Sequence, residues 1–440
     1  MFKLLILFLG TSTLLSGGCT NIHTPTTEVS ARSPIATKRL LIALDGVGYS
    51  QFKKLQEGGY FRQFKPVAPM VSSFPSISDP NWALIMNTEV ETSYTKEYID
   101  IEYRDGKKIG RKVGSLLNHL SQPPLYETLF DFKPEGVLQH LASLTWSETT
   151  GLYWLDVIEK DLFNNSSKEL YQAFIFNTDV ISHTKGEQDI LRYLSEVDSK
   201  LIGLEKRYQE KFKQNLEIIL LSDHGNIFLK PKAILPDERL AKKKWNLKDY
   251  LENERDVVYV IPEILSFAAF YTLDKSKAAL ATDLAEIEGV HVTLTYQEPN
   301  RIMVYSKNTI AQIDVDPKRK TVGYRIVKGQ DPFSHSHLFK KGPLSWPTYF
   351  HETLATKYPY ALVRAWEAFT TNSKQKPSVL VSTKSGYVFA NKALEWITMV
   401  MGLESVHGSF EREESLGILV SNKREFPALP VREIHKLVIQ

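Results

Sequence analysis

Three stretches of this chain run apolar and then present an aspartate: Arg39-Leu-Leu-Ile-Ala-Leu-Asp45, Ala173-Phe-Ile-Phe-Asn-Thr-Asp179 and Leu216-Glu-Ile-Ile-Leu-Leu-Ser-Asp223. Apolar runs without in-and-out alternation belong in a parallel sheet covered on both faces. Between the second and third, Glu187 to Gln214 places Ile190, Leu191, Leu194, Val197, Leu201 and Leu204 at helical spacing with charges elsewhere. Strand, crossover helix and strand follow. Ligands of open parallel sheets gather beyond the carboxyl ends of the strands, so three acids at three such ends point to one site.

At 440 residues the chain exceeds the size at which a single core usually stops growing, so one large α/β domain with a smaller appended unit is expected. That domain runs over 39–440. A loosening of the pattern after Gly225, with Leu265-Ser-Phe-Ala-Ala-Phe-Tyr271, a helical Lys275 to Glu288 and Arg301-Ile-Met-Val-Tyr305, predicts a small inserted α/β unit over 260–330. Ser378-Val-Leu-Val-Ser382, a helix from Asn391 to Gly402 and Val406-His407-Gly408 then return to the main domain, with a closing strand over Gly417 to Asn422. With 54 basic and 51 acidic residues the formal charge is only +3, so no single-sign field marks a nucleic-acid-binding surface. Anionic substrates must be captured locally.

The first 19 residues carry Lys3, an apolar run and the small residues Ser16, Gly17 and Gly18 before Cys19, which is the order of an export signal. The run is short for a membrane span, and a polar linker over 20–38 follows it. The ending resembles a bacterial lipobox, with Ser16 standing where an aliphatic residue is usual. That resemblance implies lipidation at Cys19, membrane attachment by a lipid anchor, and a location in the bacterial cell envelope facing periplasm or exterior. The other reading is an ordinary cleaved signal. Cys19 is the only cysteine, so intrachain disulfides and thiolate metal sites are excluded.

Four short pieces carry the chemistry: Asp45-Gly-Val-Gly48; Ser76-Ile-Ser-Asp-Pro-Asn81; Asp179-Val-Ile-Ser-His183; and Asp223-His-Gly225 with His407-Gly408 downstream. From them Asp45, Asp179 and Asp223 offer three carboxylates, His183, His224 and His407 three imidazoles, and a serine a hydroxyl, a set of oxygen and nitrogen donors that suits two zinc ions. Two such ions lower a nucleophile's pKa and neutralise charge building on phosphorus. Each piece alone has a plainer reading: a strand-to-turn transition at Asp45, a solvated helical pair at Asp179 and His183, a capping serine at Ser78.

In this order the pieces resemble the type I phosphodiesterases and nucleotide pyrophosphatases of the alkaline phosphatase superfamily. The resemblance implies an alkaline-phosphatase-like sandwich, with a largely parallel sheet between helices. It implies that Asp45, Ser78, Asp223 and His224 hold one divalent metal ion and Asp179, His183 and His407 the other. The ions would be Zn²⁺, with Mn²⁺ the second choice. Ser78 would be the nucleophile, since it alone among Ser72, Ser73, Ser76 and Ser78 precedes Asp-Pro-Asn. The substrate would be a small phosphate ester or nucleotide.

The sequence also departs from that family. Residues 87–98 offer no counterpart of its phosphate-binding asparagine, and Asn81, Tyr94 and Lys96 remain candidates to replace it. Trp82 reads as a core anchor or as a wall for a leaving group. The serine segment lacks the arginine that sulfatases need for cofactor formation. Other functions that the residues leave open are a phosphomonoesterase of the same superfamily and a catalytically silent metal-binding lipoprotein. Asp223-His-Gly-Asn226 is similar also to phosphoglycerate mutases, which export argues against.

Overall fold

The computed structural model describes residues 38–91, 93–94, 98–104, 107–113, 124–134, 145–165, 167–260, 265–391 and 402–440. In chain order the elements that matter are strand β1 (Lys38–Leu44), helix α1 (Tyr49–Glu57), β2 (Ala68–Val71), α2 (Ser78–Met86), α3 (Ser147–Asn164), β3 (Leu170–Ile175), α4 (Asn177–Lys185), α5 (Glu187–Phe212) and β4 (Leu216–Leu221). There follow α6 (Lys277–Ala285), α7 (Ala361–Thr370), β5 (Leu416–Ser421) and β6 (Leu429–Pro430).

One sheet has the order β6-β2-β5-β4-β1-β3. β3, β1 and β4 are parallel, as the apolar runs predict, while β5 runs antiparallel to β4 and β2. The closing strand expected over Gly417 to Asn422 is therefore present with reversed direction. β1 shows why such runs lack alternation. Leu40, Ile42 and Leu44 pack on one face against α1, α3 and α5, through residues such as Phe52, Ile158 and Leu194. Leu41 and Ala43 pack on the other face against Trp82, Ile85, Tyr126 and the C-terminal Ile434 and Val438. Both faces being covered, residues 40–44 of the strand are all apolar.

The second half differs from the expected small unit. Strands from 246–345 join a nine-stranded, mostly antiparallel sheet, and Val379–Thr383 lies inside it, between Val290–Gln297 and Phe267–Tyr271. The segment at 378–382 thus joins the second sheet. The reason is burial on two sides: Ala268 and Phe270 pack with α6, and Phe267, Ala269 and Tyr271 pack with α7 and the segment around Tyr349. A three-element unit could not cover both faces. The helix expected from Asn391 to Gly402 falls largely outside the described residues.

Candidate metal centre

Asp45, Asp179 and Asp223 meet because their strands end level. Leu44 pairs with Ile175 and Ala43 with Leu221, so the chain leaves β1, β3 and β4 at one edge. Gly46 turns away from β1 with φ of 66°, and a Cβ there would stand 2.2 Å from Asp179 Oδ1. Only glycine permits that approach. β3 stops at Ile175 and α4 begins at Asn177, so Asp179 sits in the first helical turn and not on a strand end. His183 follows one turn later on the same face, with Nε2 3.2 Å from Asp179 Oδ2. At Gly225 a Cβ would stand 2.2 Å from the Glu413 carbonyl, so the glycine of Asp223-His-Gly is also sterically demanded. His407 is brought alongside by the pairing of Ile227 with Val406.

Ser78 is the first residue of α2. Its hydroxyl donates to Asp45 Oδ1 at 3.1 Å and lies 3.3 Å from His224 Nε2. The other serines of the segment face elsewhere: Ser72 donates to Ser76, Ser73 to Pro75 O, and Ser76 to Ser409 O. Two compact donor groups result, Asp45 with Asp223 and His224, and Asp179 with His224 and His407; in each, one donor atom per residue lies within 4.8 Å of the others. His224 belongs to both, and its ring stacks on His407 at 3.9 Å.

The imidazoles are oriented by main-chain carbonyls. Nδ1 of His183 meets Ser405 O at 2.8 Å, that of His224 meets Gly225 O at 3.1 Å, and that of His407 meets Ser76 O at 2.8 Å. A carbonyl only accepts, so each Nδ1 carries a proton and each Nε2 turns inward. Nε2 of His224 is 3.3 Å from Asp223 Oδ2, and that of His407 is 3.9 Å from Asp179 Oδ2. A lone pair facing a carboxylate oxygen needs a proton or a cation between them.

The electrostatics favour a cation. Burial, then the neighbouring Asp223 and Asp179 carboxylates, push the Asp45 carboxyl well above its usual range. Burial raises Asp223 as well, with His224 opposing. Asp179 goes the other way: burial alone would raise it, but the adjoining His183 foremost pulls it below the usual carboxylate range. Burial, then His224, hold His407 well below the usual imidazole value, which keeps the ring neutral. Asp223 Oδ2 is buried without a hydrogen-bond partner among the described residues. Crowded acids, inward-facing nitrogen atoms and an orphaned oxygen fit divalent cations, which supply the charge that this donor set lacks.

Several partners were not legible in the sequence. Asn226 donates to Asp179 Oδ1 (3.0 Å) and Gly46 O (2.9 Å) and accepts from Ser405 Oγ (3.2 Å), tying three motifs together. Its only signal was its place after Asp223-His-Gly. Trp82 is a core residue, edge-on to Phe130 and Phe174, and also donates to Asp45 Oδ1 at 3.3 Å. Asn81 is committed to Ser73 N and Ile77 O, and Tyr94 to Ala368 O. Neither therefore takes the place of the missing asparagine. Lys96 and Cys19 lie outside the described residues.

A level row of aspartates beyond parallel strands, facing a serine at a helix start and three oriented imidazoles, defines a candidate metal-site protein of the alkaline-phosphatase-like α/β fold. Among solved structures that share this fold, phosphonoacetate hydrolase from Sinorhizobium meliloti, solved with phosphonoformate, matches with a TM-score of 0.50 at 12% identity, over 91% of this chain and 94% of that one. Murine ectonucleotide pyrophosphatase/phosphodiesterase 5 matches over the same shares, with a TM-score of 0.50 at 13% identity. An inactive variant of the murine protein in complex with AMP matches with a TM-score of 0.51 at 14% identity, again over 91% and 94%. At these identities the likeness is one of fold. No protein-family profile matches the sequence, and no curated protein matches it.

Proposed function

We propose that this chain hydrolyses phosphate esters at the candidate metal centre, acting on diesters through a phosphoserine at Ser78. The observation that carries the reading is the Ser78 hydroxyl between Asp45 Oδ1 and His224 Nε2, at the meeting point of the two donor groups. Asp45, Ser78, Asp223 and His224 would hold one cation and Asp179, His183 and His407 the other, zinc first and manganese second. Bound there, the ions neutralise charge on the transferring phosphoryl group and lower the pKa of the serine hydroxyl.

The rest falls to the chain itself. Asp45 fixes the direction of the Ser78 oxygen, which attacks phosphorus in line with the departing alcohol. The ester P–O bond breaks as the Ser78–phosphorus bond forms, and the alcohol leaves with the proton that the Ser78 hydroxyl gives up. Water then cleaves the phosphoserine, restoring the hydroxyl and releasing a phosphate monoester. Carbonyl-held imidazoles keep Nε2 aimed inward throughout.

Assaying one pure sample with bis(p-nitrophenyl) phosphate, p-nitrophenyl phosphate and phosphonoacetate tests the reading. Faster release from the diester supports it. Preference for the monoester makes the protein a phosphomonoesterase, and no turnover of any makes it a metal-binding lipoprotein. The same proposal places the mature protein on a membrane through lipid on Cys19. Cys19→Ala should release it, and an unmodified N-terminus elsewhere by mass spectrometry would remove the anchor.

A further inference from the structure

The segment that presents Ser78 is held from behind by a cation outside the centre. Arg364, on α7 beneath the second sheet, is 1% exposed. Its Nη2 donates to Ser73 O at 2.9 Å and to Ser76 Oγ at 2.8 Å. Nη1 donates to Pro359 O at 3.2 Å and to Phe410 O at 3.5 Å. Among the described residues it forms no ion pair with a carboxylate. Burial draws the guanidinium down to about 9, which leaves it charged at neutral pH.

Ser76 is where this cation meets the centre. Its carbonyl accepts from His407 Nδ1 at 2.8 Å, its N–H donates to Gly408 O at 3.3 Å, and its hydroxyl donates to Ser409 O at 2.9 Å. Phe74 stacks on Phe410 at 3.8 Å, and the guanidinium lies over the Phe410 ring. One planar fork thus grips the Ser78 segment through Ser73 and Ser76, and the His407 segment through Phe410. A lysine offers one nitrogen and cannot span these acceptors.

We propose that Arg364 is a positioning residue that sets Ser78 and His407 relative to each other by clamping residues 72–77 onto residues 407–410. The proposal rests on the phosphate-ester reading for its catalytic consequence, but the clamp itself is independent of it. Arg364 touches no substrate and acts through Ser76. A misplacement of about 1 Å at a reacting group costs on the order of 100-fold in rate, so loss of the clamp should appear in the chemical step and not in substrate binding.

The test compares wild type, Arg364→Lys, Ser76→Ala and the double variant, with two readouts. Amide hydrogen exchange should quicken at residues 72–78 and 405–410 in Arg364→Lys while β1, β3 and β4 keep wild-type protection. The rate of phosphoserine formation per competent site, counted by acid quench, should fall about 10- to 100-fold with KM little changed. Ser76→Ala, which should fold if Arg364→Lys does not, should show the same pattern in milder form. The double variant should lose less than the product of the two single losses, because both changes cut the shared Arg364–Ser76 contact. Wild-type exchange in both segments overturns the proposal whatever the activity. An unchanged phosphorylation rate per site, or additive losses in the double variant, overturns it as a catalytic device. If wild type turns over no ester, the functional reading fails and hydrogen exchange alone decides whether the clamp exists.

Discussion

Ser78 and Ser76, two residues apart, face opposite ways: the Ser78 hydroxyl donates to Asp45, whereas the Ser76 hydroxyl donates to Ser409 O and accepts from Arg364. Residues two apart in an extended segment would share a face, but the chain leaves the extended conformation of Ile77 (φ −136°, ψ 160°) and enters α2 at Ser78, and that turn sends the two hydroxyls apart. Four neighbouring serines are thereby sorted by geometry into one that meets the carboxylates and three that are bound up with their surroundings.

That sorting gives the first prediction. Brief reaction with a labelled ester followed by acid quench should leave phosphate on the peptide that contains Ser78. Ser78→Ala should remove the label and lower turnover by roughly three orders of magnitude or more. Ser76→Ala should cost no more than about tenfold. Label on Ser73 or Ser76 would move the nucleophile and leave the donor groups in place.

Metal content gives the second. Elemental analysis should find close to two transition-metal equivalents, and chelation should abolish activity reversibly. Because His224 and His407 belong to different proposed sites, His224→Ala and His407→Ala should each deplete about one equivalent. Saturating zinc should also raise the melting temperature; about 4 kcal/mol of stabilisation accompanies a ligand at a thousand times its Kd. Full activity in chelator would end the two-ion reading.

Asn226 supplies the third. It grips Asp179 Oδ1 and the Gly46 carbonyl, so it orients a candidate ligand from behind. Loss of such an orienting contact weakens metal binding about 10- to 100-fold. Asn226→Ala should therefore shift a competitive zinc titration by that factor, with circular dichroism unchanged. An unshifted titration would make Asn226 a packing residue only.

The fourth concerns acid stability, away from the centre. His291 is buried, stacked on Tyr358 and donating to Pro332 O, and burial pushes it down to about 4. His335, between Tyr349 Oη and Thr356 Oγ1, is likewise pushed down to about 4 by burial. Both are neutral in the folded protein, whereas in the unfolded chain they take up protons near pH 6.5. Their contribution to stability is thus whole above pH 6.5 and is lost as pH falls from there to about 4, on the order of 3 kcal/mol for each. Melting temperatures measured from pH 7 to pH 4 should fall steeply. His291→Gln should flatten that slope, and an unchanged slope would locate the acid sensitivity elsewhere.

The sequence by itself determined the parallel strands β1, β3 and β4, the long helix α5 and the order of the donor motifs, because each depends on residues near one another along the chain. Apolar runs need cover on two faces wherever they lie, and Asp-Gly or Asp-His-Gly needs glycine where another chain presses close, as Asp179 does at Gly46 and Glu413 at Gly225. Only the tertiary structure decided that 379–383 enters the second sheet, since a short antiparallel strand reads the same locally whichever sheet it joins. The same holds for the direction of β5 and for the partners that aim the ligands. Asn226 reaches Gly46 across 180 positions and Arg364 reaches Ser76 across 288. A hydrogen bond of that kind leaves no periodicity behind; it exists only once packing has brought two distant polar groups into a space where neither can turn to water.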